Sequence, residues 1–265
     1  MHSNIELEHM LEFTEELAMK AGHLIKELRE KPLEFNYKCG TELVTSADLK
    51  SDDLIRNELK AYYPDIPIYS EESHADKTDF FGPLWIVDPI DGTVNYAHGQ
   101  FNVSVSIAFA YKGELKLGVV YCPFLEEKFS ALRGHGAYMN GKRIYCNQMD
   151  DLSRAVIATG FPYDRSKRSA LMKRVSNILN NCQDIRRLAS AAIDICWVAC
   201  GRLEGYYETV SIWDMAAGFV IAKEAGALIS NFGPEKPELP EEFNSECMLV
   251  SNPKLHDKLF DLLKE

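Results

Sequence analysis

The chain has 265 residues, of which 46% are hydrophobic and 26% are charged. That composition is typical of a folded protein with a substantial hydrophobic core, and it argues against long disordered segments. The 40 Asp and Glu residues against 29 Lys and Arg give a net charge of -11. A field of that sign disfavours nucleic acid and anionic membranes as direct partners.

The cysteines and the N-terminus give no sign of secretion. Seven Cys is an odd count, and no C-x-x-C pair occurs, which is typical of reduced thiols rather than of disulfides or a zinc site. The first ten residues are acidic and lack the apolar core of a signal peptide. The apolar run 191–200 contains Asp194 and is too short to cross a bilayer. The sequence therefore predicts a cytoplasmic protein that does not enter the membrane.

The N-terminal half begins with helical patterns and continues as strands. Apolar residues recur at helical spacing through the first thirty positions, and a second helix is predicted over 48–62, before Pro64. Alternating or β-rich runs then predict strands, and Asn140-Gly141 predicts a hairpin turn. The predicted strands are 65–70, 84–87, 103–111, 115–121 and 128–132, followed by the hairpin that joins 137–138 to 143–144.

After about residue 150, strands alternate with helices. The predicted strands are 155–159, 203–207, 227–230 and 248–250, and the predicted helices are 166–179, 190–200, 215–225 and 253–263. This change of rhythm predicts two packed sheets with helices in layers. We expect an α+β half over 1–148 with an antiparallel sheet, and an α/β half over 149–265 with a second, mixed sheet.

The segment most informative about chemistry is LWIVDPIDGT, residues 84–93. An apolar strand ends at Asp88, a proline fixes the turn, and Asp91 precedes what can be a helix start. Both carboxylates and the Ile90 carbonyl can face one point, and three hard oxygens suit Mg²⁺. Amides at a helix start would also favour a phosphate. From spacing alone, an Asx turn chosen for backbone geometry is an equally good interpretation.

Two further acidic features change the balance between these interpretations. Glu71 lies in a Ser-Glu-Glu-Ser loop after a short strand, which by itself indicates a solvated turn. Asp214 lies where a helix begins, which by itself indicates an N-cap. Together with the segment above, however, they make a set of carboxylates at strand ends and a helix start. A site for several Mg²⁺ ions requires such a set, whose members are Glu71, Asp88, Asp91 and Asp214.

Other catalytic motifs fail. Residues 136–143 nearly match a phosphate-binding P-loop, but Arg143 replaces the required Ser or Thr, and the segment falls on the predicted hairpin. The seven His are dispersed, and no G-x-S-x-G nucleophile elbow occurs. A glycosidase could use two of the carboxylates, but it would not need four.

At this point the sequence resembles the inositol monophosphatase family, part of the lithium-sensitive, Mg²⁺-dependent phosphatases, across essentially its whole length. The resemblance is carried by three blocks: EES at 71–73, WIVDPIDGTVN at 85–95 and WDMAAG at 213–218. Three further segments, 43–48, 190–192 and 206–208, agree in order and spacing. The resemblance implies a layered αβαβα sandwich, a homodimer, and Mg²⁺-dependent hydrolysis of inositol monophosphate or a similar small sugar phosphate.

The resemblance also implies which residues hold metal. One Mg²⁺ would be held by Glu71, Asp88 and the Ile90 carbonyl. A second would be held by Asp88, Asp91 and Asp214, and a third, weaker ion would use Glu71 and waters. The expected cofactor is therefore two to three Mg²⁺ ions per site.

The catalytic and substrate residues are implied in the same way. Thr93 with Asp48 would orient and deprotonate the attacking water, and the amides of Gly92 and Thr93 would bind phosphate oxygens. Glu208, with Ala191 and Ser190, would hold substrate hydroxyls. The full set expected to contact substrate is Asp91, Gly92, Thr93, Ser190, Ala191, Glu208 and Asp214.

The substrate and a second role stay open at this point. Many family members have Gly where this chain has Ala189, so the methyl group can narrow the substrate side, and 37–40 resembles the family's mobile loop near the third metal. The same chemistry on fructose 1,6-bisphosphate, a 3′-phosphoadenosine nucleotide or histidinol phosphate is one alternative, and a second phosphate would require further cations. A protein partner in the transcription machinery is another alternative. The candidate cations are Arg165, Lys167, Arg168, Arg186 and Arg187.

Overall fold

The computed structural model describes residues 4–31, 35–37, 43–73, 78–161, 168–234 and 236–264. The N-terminal half contains three helices, α1 (Asn4–Arg29), α2 (Ser46–Tyr62) and α3 (Thr93–Ala97). Its strands are β1 (Phe35–Tyr37), β2 (Leu43–Thr45), β3 (Ile68–Ser70), β4 (Leu84–Asp91), β5 (Ser104–Tyr111), β6 (Glu114–Cys122), β7 (Glu127–Leu132), β8 (Gly136–Met139) and β9 (Lys142–Ile144).

The C-terminal half alternates strands and helices, as predicted. Its helices are α4 (Arg168–Leu179), α5 (Ala191–Ala199), α6 (Ile212–Glu224) and α7 (His256–Lys264), with short 3₁₀ helices at Leu152–Arg154 and Glu241–Phe243. Its strands are β10 (Val156–Thr159), β11 (Asp184–Arg186), β12 (Gly205–Glu208), β13 (Leu228–Asn231) and β14 (Met248–Ser251).

The first sheet has seven strands in the order β3-β4-β5-β6-β7-β8-β9. Its pairs from β4 onward are antiparallel, but β3 and β4 are parallel. The prediction of a wholly antiparallel sheet is therefore wrong at this edge. The reason is the connection 71–83, which is long enough to return the chain to the same end of the sheet before the next strand.

The second sheet has five strands in the order β11-β10-β12-β14-β13. Strand β10 pairs parallel with β11 and β12, whereas β14 pairs antiparallel with β12 and β13. The sheet is mixed, as predicted. A separate two-stranded ladder joins β1 and β2.

The strands of the first sheet are buried on both faces because helices cover each side. On β4, Leu84 and Ile86 join a cluster with α5 and α6, whereas Trp85 and Val87 face a cluster with α1 and α2. Helices α4 and α7 cover the far face of the second sheet. The order of layers is thus helix, sheet, helix, sheet, helix, and the predicted layered fold is confirmed.

Two glycine-dependent features position these layers. A Cβ at Gly118 on β6 would lie 2.4 Å from the carbonyl oxygen of Ala217 on α6, so this contact between sheet and helix requires glycine. The predicted Asn140-Gly141 hairpin joins β8 to β9, and both residues have positive φ, 49° and 76°. That pair of angles is what a two-residue hairpin turn demands.

Most of the secondary-structure elements that the sequence patterns do not predict are short. It predicts no strand at β1, β2 or β11, and it starts the second helix two residues late. Segment 38–40, Arg165 and Lys167 lie outside the described residues. Over the part of the chain that the structure describes, no helix combines the length and apolar character needed to span a membrane.

Candidate metal centre and active site

The end of β4 carries the first two carboxylates. β4 pairs with β5 up to Asp88–Ser106, and the register then shifts before Asp91 pairs with Ser104. Pro89 lies within this irregularity, where a strand tolerates a residue without an amide hydrogen. The Asp88 carboxylate accepts a hydrogen bond from the Ile90 amide at 3.0 Å through Oδ1. Its Oδ2 is buried and has no hydrogen-bond partner among the described residues.

Asp91 is fixed by the start of α5. Its Oδ2 accepts hydrogen bonds from the Ser190 hydroxyl at 2.5 Å and the Ala192 amide at 2.9 Å, and its Oδ1 accepts one from the Ala191 amide at 3.2 Å. The Ser104 hydroxyl also donates to Oδ2 at 3.2 Å. A carboxylate from β4 thus satisfies the first amides of a helix from the other half of the chain. This contact binds the two halves at the site.

Asp214 lies at the third position of α6, after the N-cap residue Ser211, rather than at the N-cap position that the sequence suggested, and it also faces the other carboxylates. Its Oδ2 accepts a hydrogen bond from the Ser211 amide at 2.7 Å, as part of a capping box at the start of α6. Asp88, Asp91 and Asp214 each offer one oxygen atom, and these three atoms lie within 4.8 Å of one another. A place in the capping box and a role as metal ligand are therefore compatible for Asp214.

Electrostatics make this cluster unstable as three bare anions. Burial, then the charges of Glu71, Asp91 and Asp214, raise the pKa of Asp88 well above its ordinary value. Burial and the neighbouring Asp91 and Glu71 likewise raise the pKa of Asp214 well above normal. Burial also raises the pKa of Asp91, although its hydrogen bonds oppose that rise. No ion pair to these three residues is found within the described chain, so a divalent cation that prefers hard oxygens fits the donor set.

Glu71 borders the cluster rather than belonging to the tight group of three. It follows β3, and its amide donates to the Val87 carbonyl at 3.1 Å beside the end of β4. Its charge raises the pKa of Asp88 and of Asp214, so its carboxylate lies within electrostatic reach of both. The side chain is partly exposed. The structure therefore brings the four predicted carboxylates to one place, three of them tightly.

Thr93 and Asp48 meet beside the cluster. The Thr93 hydroxyl lies 2.9 Å from Asp48 Oδ1 and 3.1 Å from the Ile90 carbonyl oxygen, so its single proton can be donated to either. Asp48 is buried, which raises its pKa, while hydrogen bonds from Thr45 and Thr93 lower it. Gly92 precedes Thr93 with φ +94°, and a Cβ there would lie 2.8 Å from the Asn102 carbonyl oxygen.

Sequence reasoning missed Thr45, which holds Asp48. The Thr45 amide and hydroxyl donate to Asp48 Oδ2 at 2.8 and 2.5 Å. These bonds belong to a capping box at the start of α2. The signal was present, because Thr45 and Asp48 have the spacing of a capping box with a shortened acidic partner.

A second polar recess surrounds Glu208 at the end of β12. Burial raises the pKa of Glu208 to about 7, against the hydrogen bond from Tyr206 and the charge of Arg187. The Tyr206 hydroxyl lies 2.7 Å from Glu208 Oε2. A Cβ at Gly160 would lie only 1.8 Å from that oxygen, so glycine leaves the space that Glu208 occupies.

Asp194 lies near Glu208, and the sequence analysis assigned it no part in the site. Asp194 is buried on α5, its Oδ1 has no hydrogen-bond partner among the described residues, and burial with the charge of Glu208 raises its pKa well above normal. Asn95 donates to the Asn102 and Leu188 carbonyls, both at 2.7 Å. That contact holds the chain leading to Ala189, which adopts φ +64°. A non-glycine residue there is strained.

The candidate cations are dispersed. Arg186 is exposed and forms an ion pair with Asp184 at 2.5 Å. Arg187 stacks on the Phe161 ring at 5.6 Å, and its charge lowers the pKa of Glu208. Arg168 begins α4. Among the described candidates, Arg187 is thus the one placed beside the polar recess.

A layered α+β fold with a buried acidic cluster at strand ends is the architecture of a metal-dependent phosphatase. The chain belongs to the inositol monophosphatase family, whose model matches residues 6–265. The predicted family is confirmed. Membership of a metal-dependent family agrees with the donor set of the cluster.

Individual relatives agree with this assignment. The chain is 39% identical to Nus factor SuhB of Pasteurella multocida, over 84% of this chain and 85% of that protein. It is 35% identical to inositol monophosphatase 1 of Solanum lycopersicum, over 100% of this chain and 98% of that protein. The solved structure of extragenic suppressor protein suhB from Bartonella henselae matches with a TM-score of 0.89 at 32% identity, over 97% of this chain and 99% of that chain.

Proposed function

We propose that the protein hydrolyses inositol monophosphate, or a similar small sugar phosphate, to the alcohol and inorganic phosphate in the presence of Mg²⁺. One observation carries the proposal: three carboxylate oxygens, from the buried Asp88 and Asp91 and the partly buried Asp214, converge within 4.8 Å of one another, next to a Thr93–Asp48 pair at 2.9 Å. An acidic cluster alone would repel a phosphate, but an acidic cluster that binds cations attracts it.

The residues proposed to hold two to three Mg²⁺ ions are Glu71, Asp88, the Ile90 carbonyl, Asp91 and Asp214. Bound Mg²⁺ would supply charge neutralisation for the phosphate and a lowered pKa for a water. The chain fixes these ligands from separate elements: the Asp91 carboxylate through α5 and the Asp214 carboxylate through the Ser211 cap. Ligands held in this way need little rearrangement on binding.

Thr93 and Asp48 are the proposed catalytic pair. When the Thr93 hydroxyl donates to Asp48, its lone pairs can accept a hydrogen bond from the attacking water and orient it. Asp48 is then the group to which the proton can pass, through the Thr93 hydroxyl. Thr45 keeps Asp48 aligned through two hydrogen bonds. The amides of Gly92 and Thr93 are proposed to bind phosphate oxygens.

Glu208 is the proposed anchor for substrate hydroxyls, with Ala191, Ser190, Asp91 and Asp214 as further contacts. Ser190 has a second task, because its hydroxyl donates to Asp91 at 2.5 Å. A carboxyl with a pKa of about 7 can accept hydrogen bonds from hydroxyls when ionised and donate one when protonated.

The test is Asp91→Asn, with Asp65→Asn as the matched control because Asp65 is exposed and lies before β3. Replacing Asp91 by an amide removes a charge from the cluster, and we expect Mg²⁺-dependent phosphate release to fall by about 10³-fold or more. The control removes the same charge from the surface and should keep wild-type activity. Near-normal turnover of Asp91→Asn would contradict the proposal.

The substrate alternatives keep this chemistry, and two of them, fructose 1,6-bisphosphate and a 3′-phosphoadenosine nucleotide, add a second anionic group. The position of Arg187 favours a substrate with two phosphates, because its side chain lies beside Glu208 and could bind the second phosphate. Rates on inositol 1-phosphate, fructose 1,6-bisphosphate, a 3′-phosphoadenosine nucleotide and histidinol phosphate decide between them. Measuring each with and without lithium also tests the proposed lithium sensitivity. A fructose 1,6-bisphosphate rate that exceeds the others and collapses in Arg187→Ala would favour the alternative.

A protein-binding role is the second candidate function. It rests on the 39% identity to a relative named Nus factor SuhB, and the partner would belong to the transcription machinery. We also propose that the protein acts as a homodimer. Affinity capture with the tagged chain, together with its sedimentation behaviour, tests both points. Capture that recovers no transcription protein would count against the binding role.

A further inference from the structure

A carboxylate on α2 holds both ends of the turn that carries Glu71. Asp52 lies one helical turn after Asp48 and is only 3% exposed. Its Oδ1 accepts a hydrogen bond from the Ser70 hydroxyl at 2.5 Å, and its Oδ2 accepts one from the Ser73 hydroxyl at 2.9 Å. The Ser73 amide also donates to the Ser70 carbonyl at 3.3 Å. Residues 70–73 therefore form a turn that is closed by one carboxylate, with Glu71 inside it.

The same helix contacts the other side of the metal centre. The Ser51 hydroxyl donates to the Pro89 carbonyl at 3.0 Å, and Asp48 accepts a hydrogen bond from the Thr93 hydroxyl. Helix α2 is thus bonded to the end of β4 and the start of α3 and, through Asp52, to the turn after β3. Both attachments, together with the hydrogen bond from the Glu71 amide to the Val87 carbonyl, constrain where Glu71 lies relative to Asp88.

The backbone attaches Glu71 to β4 through its amide, which donates to the Val87 carbonyl at 3.1 Å just after a short edge strand. Strand β3 has three residues and lies at the edge of its sheet, paired with β4 on one side. An edge strand this short supplies few hydrogen bonds, and its end tends to fray. Asp52 supplies one buried and one part-buried hydrogen bond there, and Arg56 lies 3.6 Å from its Oδ2. A buried carboxylate that accepts two hydroxyls and faces a cation is a stable anchor.

We propose that Asp52 is a positioning residue for Glu71, and that it raises the affinity of the metal centre for a divalent cation by holding the Glu71 turn toward Asp88 and Asp214. The inference rests on the proposed function, because it takes Glu71 as a metal ligand. Outer partners of metal ligands commonly change metal affinity by about 10–100-fold. We therefore expect a loss of that order when the Asp52 bonds are removed.

The experiment measures Mn²⁺ binding to metal-free protein by electron paramagnetic resonance. Ser70→Ala with Ser73→Ala removes both bonds and keeps the charge of Asp52, whereas Asp52→Asn removes the charge and one acceptor. Asp53→Asn is the matched control, since Asp53 is exposed on the same helix. We expect the first two proteins to bind Mn²⁺ about tenfold more weakly and the control to stay within about twofold of wild type.

Kinetics separate positioning from a general loss of structure. We expect the Mg²⁺ concentration for half-maximal phosphate release to rise about tenfold in the serine variant, with kcat at saturating Mg²⁺ nearly unchanged. If that variant does not fold, Ser73→Ala alone tests one of the two bonds. The Ser73–Asp52 hydrogen bond is only part-buried, so its removal disturbs the core less.

Three outcomes would overturn the inference. Wild-type Mn²⁺ affinity in the serine variant would show that the bonds do not position Glu71. Equal losses of Mn²⁺ affinity in Asp52→Asn and Asp53→Asn would show that the change in net charge alone causes the loss. A wild-type protein that binds no Mn²⁺ would overturn the proposed metal centre and this inference with it, whereas normal binding with unaffected variants overturns the inference alone.

Discussion

The acidic cluster and the Glu208 recess are both lined by buried carboxyl groups, but their surroundings differ. Asp88, Asp91 and Asp214 face one another, and their own hydrogen bonds come from amides and hydroxyls. Glu208 instead has a phenol at 2.7 Å and an arginine charge nearby. The first arrangement requires an added cation to hold three charges, whereas the second can change its protonation near neutral pH without one.

This contrast shows why net charge is a poor guide to the ligand of an acidic protein. A chain with a charge of -11 still offers a place for an anion if some of its carboxylates bind cations first. The Glu208 recess contributes no such attraction, and its chemistry suits neutral hydroxyl groups. The two regions would therefore recognise the two ends of a sugar phosphate by different physical means.

Removing the bound metal should give the largest of the expected effects, a loss of thermal stability. This loss should arise from the acidic cluster alone. In the metal-free protein, folding raises the pKa of Asp88 and Asp214. Carboxyls raised in this way stabilise the fold below their unfolded pKa, and that contribution is lost as pH rises through the folded pKa. We therefore expect the Tm of metal-free protein to fall as pH rises from the ordinary aspartate value of about 4.

Mg²⁺ should reverse that loss, most strongly at the higher pH. At about 100 times its Kd, a ligand adds roughly 2.7 kcal/mol, which for a chain of this size corresponds to roughly 5–10 °C in Tm. Differential scanning calorimetry with and without chelator, against NaCl at matched ionic strength, measures this. A Tm that rises equally with NaCl would mean that surface screening, not the cluster, is responsible.

A smaller effect is expected from Glu208→Gln, which acts on the recess alone. The ionised carboxylate, present above pH about 7, accepts substrate hydroxyls more strongly than an amide does. We expect the KM of the variant to exceed that of wild type by about tenfold at high pH and by less at low pH. The ratio of the two KM values cancels the titration of the substrate phosphate.

The same variant should leave metal binding unchanged, because Glu208 is not among the proposed ligands. Mn²⁺ affinity is therefore the control measurement for Glu208→Gln. A KM ratio that does not vary across pH 7 would contradict the role given to the ionisation of Glu208. A large loss of Mn²⁺ affinity would show that the two regions are not separable.

The smallest effect is expected from Ala189→Gly, in the segment that joins the two regions. Ala189 has φ +64°, and a left-handed conformation costs an alanine about 1–2 kcal/mol. Glycine removes that strain but loses about 0.5–1 kcal/mol through the entropy of the unfolded chain. We expect a net gain of about 0.5 kcal/mol, seen as a Tm higher by about 1–2 °C.

Ala222→Gly, in the last turn of α6, is the control for Ala189→Gly. There glycine relieves no strain and should destabilise the protein by about 1 kcal/mol. If Ala189→Gly also lowers Tm, the packing of the Ala189 methyl outweighs its backbone strain. A change in KM would then show that the methyl shapes the substrate side as well.

Periodicity and turn chemistry were enough for most of the fold. The helical spacing of α1, the alternation along β5 and β6, and the Asn140-Gly141 turn are local signals, so they could be read without any tertiary contact. The strands β1, β2 and β11 have three residues each, which is too short for a period to show. The parallel pairing of β3 with β4 depended on the path of a connection, which no local pattern encodes.

The candidate site also has features that the sequence could predict and features that it could not. Asp88 and Asp91 are three residues apart on one turn, so their convergence could be predicted. Glu71 after a strand and Asp214 at a helix start completed the carboxylate set before the family resemblance assigned metal ions to it. The placement of Asp194 near Glu208 could not be predicted, since in sequence it only interrupts an apolar helix. The division of the chain at 148/149 and the chemical roles of the site residues stay predictions.

The sequence by itself determined the family, the layered order of strands and helices, and the acidic residues proposed to bind metal, because these depend on local pattern and residue type. Only the tertiary structure decided that Asp91 caps α5, that Asp52 closes the Glu71 turn, and that Asp194 lies near Glu208. Those contacts join residues far apart in the chain, and they exist only where packing of the layers brings two elements within hydrogen-bond distance or electrostatic reach.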